Sequence, residues 1–156
     1  MTQTAVALSP DAQSAIAEAL NQAVAETAVT TMLAQNFHWN VKGMAFAPLH
    51  ELFQQIYEDH FQAQDDLAER IRALDMHAEG MLASMLKRSK VTEHDGHATD
   101  QEMIQMMKVA QETLAQTLAG AGQLAADHGD TLTEDLCIAR GQIHEKFAWF
   151  LRAHLA

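Results

Sequence analysis

Residues 36–53, NFHWNVKGMAFAPLHELF, contain the break that divides the first half of the chain into two helices. Gly43 interrupts a helical pattern of apolar residues, and Pro48 is suited to the first turn of the next helix. His38 and His50 flank this break. An antiparallel pair of helices would therefore bring two imidazoles, which are common metal ligands, to the same end of the pair.

The spacing of apolar residues predicts four long helices and one short one. Ser9 is suited to cap the first helix, with Pro10 at its first position. Two later helix starts have capping-box spacing, Thr99 with Glu102 and Thr131 with Glu134. The predicted ranges are residues 10–38, 48–74, 100–127 and 131–156, with the short helix at 81–89.

The composition favours an all-α fold. The 156 residues include only two prolines and seven glycines, so little interrupts the helices. Four helices of this length predict an antiparallel bundle, and the link with its own short helix suits a crossover between helices two and three. We expect one domain over residues 1–156, with residues 1–8 as a flexible segment.

The charge of the chain limits its partners. The formal net charge is −11 with neutral histidines, which repels nucleic acid and anionic membranes and attracts cations. Cys137 is the only cysteine, so neither an intrachain disulfide nor a cysteine zinc cluster is expected. The N-terminus resembles no signal peptide and no apolar run reaches membrane length, so we expect a cytoplasmic protein, with nucleoid association left open.

An intrachain di-iron centre is not expected. Such bundles carry Glu-x-x-His on two helices. The residue three before each histidine here is never Glu; examples are Gln35 before His38 and Tyr57 before His60.

A site shared between two chains satisfies the distances. Asp65 and Glu69 lie four residues apart and share a helix face. His50 and Asp65 are fifteen residues apart, about 22 Å along one helix, whereas metal bonds are about 2 Å. Antiparallel packing of two copies of helix two would place His38 and His50 of one chain against Asp65 and Glu69 of the other.

The spacing of these residues resembles that of the Dps family, the miniferritins, also called DNA-binding proteins from starved cells. His38, His50, Asp65 and Glu69 occur at the family's spacing, with Trp39 after the first histidine. The resemblance covers nearly the whole chain. Its segments are NFHWNVKG (36–43), LHELF (49–53), DDLAERI (65–71), MLASMLKRS (81–89) and HEKFAWFLRAHL (144–155).

The resemblance implies a ferritin-like four-helix subunit in a hollow homododecamer with iron sites at its two-fold interfaces. The ligands would be His38, His50, Asp65 and Glu69. Iron(II) would be oxidised there by hydrogen peroxide or O₂ and stored as ferric mineral in protection against oxidative stress. Many relatives carry Asp where this chain has Gln54, a weaker ligand, so we expect a weak or water-completed second metal position.

The resemblance also implies two accessory roles. Trp39 would pack beside the site and could supply electrons. Negatively charged three-fold channels would admit iron(II), and their candidate residues here are Asp130, Glu134 and Asp135. A carboxylate near a helix N-terminus is also explained by the helix dipole alone.

Other conspicuous residues have ordinary interpretations. The methionines at 103, 106 and 107 suit core packing, and Cys137 suits a small buried apolar position. Glu93, His94, Asp95 and His97 could hold a metal, but a solvated loop is favoured. Glu69–Arg70 alone resembles surface charge, and Trp149 suits the core or an interface. The other histidines, including His60 and His144, have no comparable sequence context.

Two alternatives to iron oxidation remain open. One is a protein that compacts DNA, against which the acidic charge argues, although contact through bridging divalent cations is left open. The other is a similar cage whose site binds zinc, copper or manganese, because imidazole and carboxylate ligands do not separate these metals.

The charge gives a testable prediction. Near pH 8 and moderate salt, the protein should cause no shift of duplex DNA in gel electrophoresis. Near pH 6, protonation of histidines reduces the negative charge and permits weak binding. Tight binding at pH 8 without divalent metal would contradict the electrostatic argument.

Overall fold

The computed structural model describes residues 7–156, which form five helices and no strand. The helices are α1 (Pro10–Asn40), α2 (Phe46–Ala73), α3 (Leu82–Arg88), α4 (Asp100–Asp127) and α5 (Thr131–His154). The predicted all-α class and the short helix in the connection are confirmed. The predicted flexible segment falls mostly on residues 1–6, which lie outside the described residues.

The long helices form two hairpins joined by a crossover. Helix α1 packs on α2, and α4 packs on α5. A Cβ added at Gly43, between α1 and α2, would lie 2.8 Å from the Asp100 carboxylate at the start of α4. Helix α4 therefore starts where α2 starts and runs parallel to it, so residues 74–99 must return along the length of the bundle.

Side-chain hydrogen bonds attach this connection to α1. The buried carboxylate of Glu26 accepts the backbone N–H of Lys90 at 3.1 Å and the hydroxyl of Thr117 on α4. Asn36 donates to the carbonyl oxygen of His94 at 2.8 Å. Gly96 has φ of +87°, and a Cβ there would lie 2.2 Å from the Asn36 side chain. The tight contact requires glycine.

The core contains two apolar clusters, one at each end of the bundle. The cluster near the α1–α2 turn includes Phe37 and Phe53, and the opposite cluster includes Leu20 and Leu67. Met103 and Met107 are fully buried in the first cluster, which confirms the packing interpretation. Cys137 is buried in the second, and burial raises the pKa of its thiol to about 11. Its predicted role as a small buried residue is confirmed.

The observed helix ends confirm some predicted caps and correct others. Ser9 accepts the N–H of Ala12, and Thr99 forms the predicted capping box with Glu102. Helix α2 begins at Phe46, two residues before the predicted start at Pro48. Pro48 fits within the first turn, because the N–H groups there have no acceptor in the helix. The predicted Thr131–Glu134 capping box is wrong. The N-cap of α5 is Asp130, which accepts the N–H of Thr133.

Asp130 also joins α5 to α2. The Arg70 guanidinium donates to Asp130 at 3.1 Å and to the Thr133 hydroxyl at 2.9 Å. Asp130 is buried and Arg70 is half-buried. Arg70 is therefore a bridge between two helix ends, which corrects its interpretation as ordinary surface charge.

Loss of the Asp130 carboxylate should destabilise the fold. Asp130→Ala removes a helix cap and leaves the half-buried Arg70 guanidinium without its carboxylate partner, so the free energy of unfolding should fall by about 2–4 kcal/mol. Urea unfolding would measure this loss. Thr99→Ala, at an exposed cap, is the control and should cost only about 1 kcal/mol. Equal losses for the two variants would show that the bridge to Arg70 adds nothing.

Candidate metal centre

His38 and His50 lie together at the turn between α1 and α2. Their rings are stacked, with centroids 3.7 Å apart and planes 17° from parallel. His38 is in the last turn of α1, and His50 follows the start of α2 by four residues. The turn therefore assembles the nitrogen half of the predicted site within one chain.

Reciprocal hydrogen bonds orient the two imidazoles. His38 Nδ1 lies 2.6 Å from the carbonyl oxygen of His50, and His50 Nδ1 lies 2.7 Å from that of His38. A carbonyl can only accept, so each Nδ1 carries the proton and donates it. In each neutral ring, Nε2 then keeps a lone pair for a metal. Bonding of the second ring nitrogen to a carbonyl is typical of histidine ligands.

Aromatic side chains surround this pair. Tyr57 packs edge-on to His38 with ring centroids 5.3 Å apart, and Phe46 stacks on His50 at 5.1 Å. His38 is only 8% exposed, whereas Trp39 beside it is 62% exposed. Within a single chain, Trp39 therefore lies at the surface.

Asp65 and Glu69 occupy an exposed part of α2, one helical turn apart. Helix α2 is continuous from Phe46 to Ala73, so the distance of about 22 Å between the levels of His50 and Asp65 holds. Within residues 7–156, no group of three or more His, Cys, Asp or Glu side chains could hold a metal. The chain thus presents two separate half-sites.

Gln54 lies one turn after His50 on α2. Its side-chain amide donates to Glu58 at 2.8 Å, so its nitrogen is engaged along the helix. The neutral amide cannot supply the charge that an Asp would bring here. Gln54 therefore forms a hydrogen bond within α2 and does not itself supply an anionic ligand to the histidine pair.

The three candidate channel residues differ in their surroundings. Asp130 is buried and its carboxylate is occupied by Arg70 and Thr133. Glu134 is half-buried and Asp135 is exposed, both in the first turns of α5. Asp130 therefore organises the start of the helix, and only the other two present accessible carboxylates.

The loop at residues 93–97 is explained by its own hydrogen bonds. His94 Nδ1 accepts the N–H of Gly96 at 3.0 Å, and Asp95 accepts the N–H of His97 at 2.8 Å. Such side-chain to backbone bonds are typical of turns. Trp149, expected in the core or an interface, is more than half exposed in the single chain.

A cluster that the sequence did not reveal lies inside the bundle. Asp59, His60, Gln111, Arg140 and His144 form a closed set of hydrogen bonds, here called the mid-bundle ring. The two histidines and Gln111 are fully buried. The ring unites α2, α4 and α5, so linear spacing does not expose it. The only local signals are the adjacent Asp59–His60 pair and the Arg140–His144 pair four residues apart.

The environment of the mid-bundle ring keeps both imidazoles neutral. Burial lowers the pKa of His60 below its ordinary value, although the Asp59 carboxylate opposes this. Burial, with the nearby His60 and Arg140, lowers the pKa of His144 to about 2. Burial alone would raise the pKa of Asp59, but hydrogen bonds from His60 and Arg140 hold it well below its usual range.

Comparisons with known proteins agree with this architecture. A family model described as a ferritin-like domain matches residues 17–156. General stress protein 20U of Bacillus subtilis is 35% identical over 138 residues, covering 88% of this chain and 95% of that protein. DNA protection during starvation protein 2 of Bacillus anthracis is 32% identical over 140 residues, covering 90% and 96%.

A solved structure is similar over the full chain. The Dps protein of Vibrio cholerae O1 superposes with a TM-score of 0.92 at 29% identity, covering all of this chain and 98% of that one. The chain belongs to the Dps family of ferritin-like proteins. This membership supports a role in iron storage and protection under stress. Among residues 7–156, no helix is long and apolar enough to cross a membrane.

Proposed function

We propose that the protein oxidises iron(II) and stores the ferric product inside a hollow homododecamer. The oxidation sites are at two-fold interfaces, where His38 and His50 of one chain face Asp65 and Glu69 of another. Hydrogen peroxide or O₂ is the oxidant, and the protein acts in the cytoplasm. The Vibrio cholerae relative is described as a member of the ferritin-like diiron-carboxylate superfamily, which supports this class of chemistry.

One observation carries the proposal: each chain presents two complementary half-sites that it cannot join. The stacked imidazoles have their Nδ1 atoms bonded to carbonyls, so both Nε2 atoms are available as ligands. The carboxylates of Asp65 and Glu69 are exposed farther along the same unbroken helix. A second chain running antiparallel would bring each half to its complement.

The ligand chemistry favours the oxidation of iron(II). Carboxylate oxygens are hard donors that stabilise iron(III) more than iron(II). Two iron(II) ions bound close together can give one electron each to peroxide, which takes up two protons and leaves as two waters. This two-electron step avoids hydroxyl radical. Glu134 and Asp135 are the proposed channel carboxylates, while Asp130 holds their helix in place.

The surface around the half-sites supports an interface. On α2, Phe61 is 73% exposed, although it lies between His50 and Asp65. Met32, Trp39 and Phe46 are also exposed. Apolar side chains of this size beside polar half-sites are typical of a surface that another subunit covers.

Assembly is the first prediction of this proposal. Sedimentation at micromolar concentration should show a large closed oligomer, with twelve subunits expected for the proposed cage. Phe61→Glu should weaken the assembly, because a charge replaces an apolar contact, whereas Phe61→Leu should preserve it. A stable wild-type monomer would remove the shared site altogether.

Complementation between two inactive variants is the second prediction. His38→Ala/His50→Ala lacks the nitrogen half, and Asp65→Asn/Glu69→Gln lacks the charged half. Each should oxidise iron(II) slowly when assayed alone. When equal amounts are dissociated and reassociated together, about a quarter of the sites should contain intact halves from different chains, so activity should return in part.

Two controls define this experiment. Asp66→Asn, next to Asp65 but on another face of α2, should keep wild-type oxidation. Each variant dissociated and reassociated alone should stay slow. Proven subunit exchange without recovery of activity would show that the ligands do not come from two chains. Mass analysis after iron addition would separately test storage.

A further inference from the structure

The mid-bundle ring lies between the two apolar clusters of the core. Along α2, His60 follows Ile56 of one cluster and precedes Leu67 of the other. Along α4, Gln111 stands between Ala110 and Leu118 in the same way. The ring is thus a polar layer that attaches the middle of α2 to α4 and α5.

Each hydrogen bond of the ring has a required direction. Arg140 can only donate, and its guanidinium lies 2.8 and 3.1 Å from the two Asp59 oxygens and 3.2 Å from His144 Nε2. His144 Nε2 must therefore accept. Asp59 can only accept in its ionised form, so His60 Nδ1 donates to it at 2.9 Å.

The remaining two bonds close the ring without conflict. With its Nε2 accepting, a neutral His144 carries its proton on Nδ1, which donates to Gln111 Oε1 at 2.7 Å. The Gln111 amide nitrogen then donates to His60 Nε2 at 3.0 Å. Both imidazoles are neutral with the proton on Nδ1. This arrangement satisfies every bond of the ring.

One added proton cannot be accommodated. A proton on His60 Nε2 would face the amide nitrogen of Gln111, which is also a donor. Turning the amide would satisfy His60, but would place the nitrogen against the protonated Nδ1 of His144. Moving that proton to Nε2 of His144 would place it against Arg140. Each rearrangement moves the clash to another bond.

We propose that the mid-bundle ring is an acid-sensitive latch, which holds α2 against α4 and α5 while both imidazoles are neutral and releases them when either one is protonated. The latch is independent of the candidate metal centre, because none of its five residues is a proposed ligand. It would couple the packing of the bundle to the pH around the protein.

The charged groups around the imidazoles are few. Asp59 of α2 and Arg140 of α5 face them, and α4 contributes the uncharged Gln111, whose amide nitrogen also contacts the sulfur of Met107. Within residues 7–156, no charged side chain of α1 or α3 hydrogen-bonds to either imidazole or shifts its pKa. Among the described residues, a new positive charge would therefore lie beside Arg140, with Asp59 as the one anion that acts on both imidazoles.

The sign of the pH effect follows from the lowered pKa values of both histidines. The histidines of the unfolded chain bind protons below about pH 6.5, whereas those of the folded ring bind them less readily because both pKa values are lowered. The stabilisation is therefore complete above pH 6.5 and is lost as the pH falls. The folding equilibrium should fall by up to about tenfold per pH unit for each histidine. Asp59 adds its own loss only below about pH 4, so the range pH 4.5–6.5 separates the effect of histidines from that of Asp59.

The experiment compares thermal unfolding of the assembled protein between pH 7 and pH 4.5. The wild-type midpoint should fall steeply below pH 6.5. The variant His60→Asn/His144→Gln has non-titrating amides that can still donate and accept, so its midpoint should change much less. The control His77→Gln/His154→Gln alters two exposed histidines and should keep the wild-type slope. A folded ring variant with the full wild-type slope would overturn the proposal.

A second measurement uses the wild-type protein alone and serves if the ring variant does not fold. Backbone hydrogen exchange, corrected for intrinsic rates, should show a loss of protection around His60, Gln111 and His144 below pH 6.5. The expected loss is about tenfold to a hundredfold per pH unit. Protection that stays constant in these segments from pH 6.5 to 4.5 would overturn the latch.

Discussion

The continuity of helix α2 is the constraint on which the candidate site depends. Its 28 residues extend about 42 Å without a break, and they carry His50 near the start and Asp65 and Glu69 near the end. A rigid helix cannot fold back to join these side chains. The two halves can therefore meet only if another molecule supplies the complement, which makes association a requirement of the proposed chemistry.

Side-chain hydrogen bonds to neighbouring elements hold both ends of α2. At one end, His38 and His50 each donate a hydrogen bond to the backbone carbonyl of the other. The same two bonds therefore stabilise the ring orientations and the turn between α1 and α2. At the other end, Arg70, which follows Glu69, joins α2 to the N-cap residue of α5. Both half-sites are thus next to contacts that restrict side-chain or backbone motion, and such preorganisation favours metal binding.

Polar contacts join the middle of α2 to α4 and α5. Buried polar groups cost free energy unless they are hydrogen-bonded, and the hydrogen bonds of the mid-bundle ring are all made in one arrangement, although Arg140 Nε has no partner among the described residues. Because its bond directions leave no alternative, the ring also fixes the rotation and the height of α2 relative to α4 and α5. The cost of this specificity is sensitivity to a proton, since neutrality of the imidazoles is part of the arrangement.

The fold was largely predictable because it depends on local signals. These signals are the periodic spacing of apolar residues, the caps at Ser9 and Thr99, and the break around Gly43. They determined the helices and the pairing of His38 with His50. The separation of His50 from Asp65 also followed from helix geometry alone. Only the tertiary structure decided the Asp130 cap, the bridge from Arg70 and the mid-bundle ring. The bridge and the bonds that join the helices within the ring connect residues 33 to 81 positions apart in the chain, which no local pattern records.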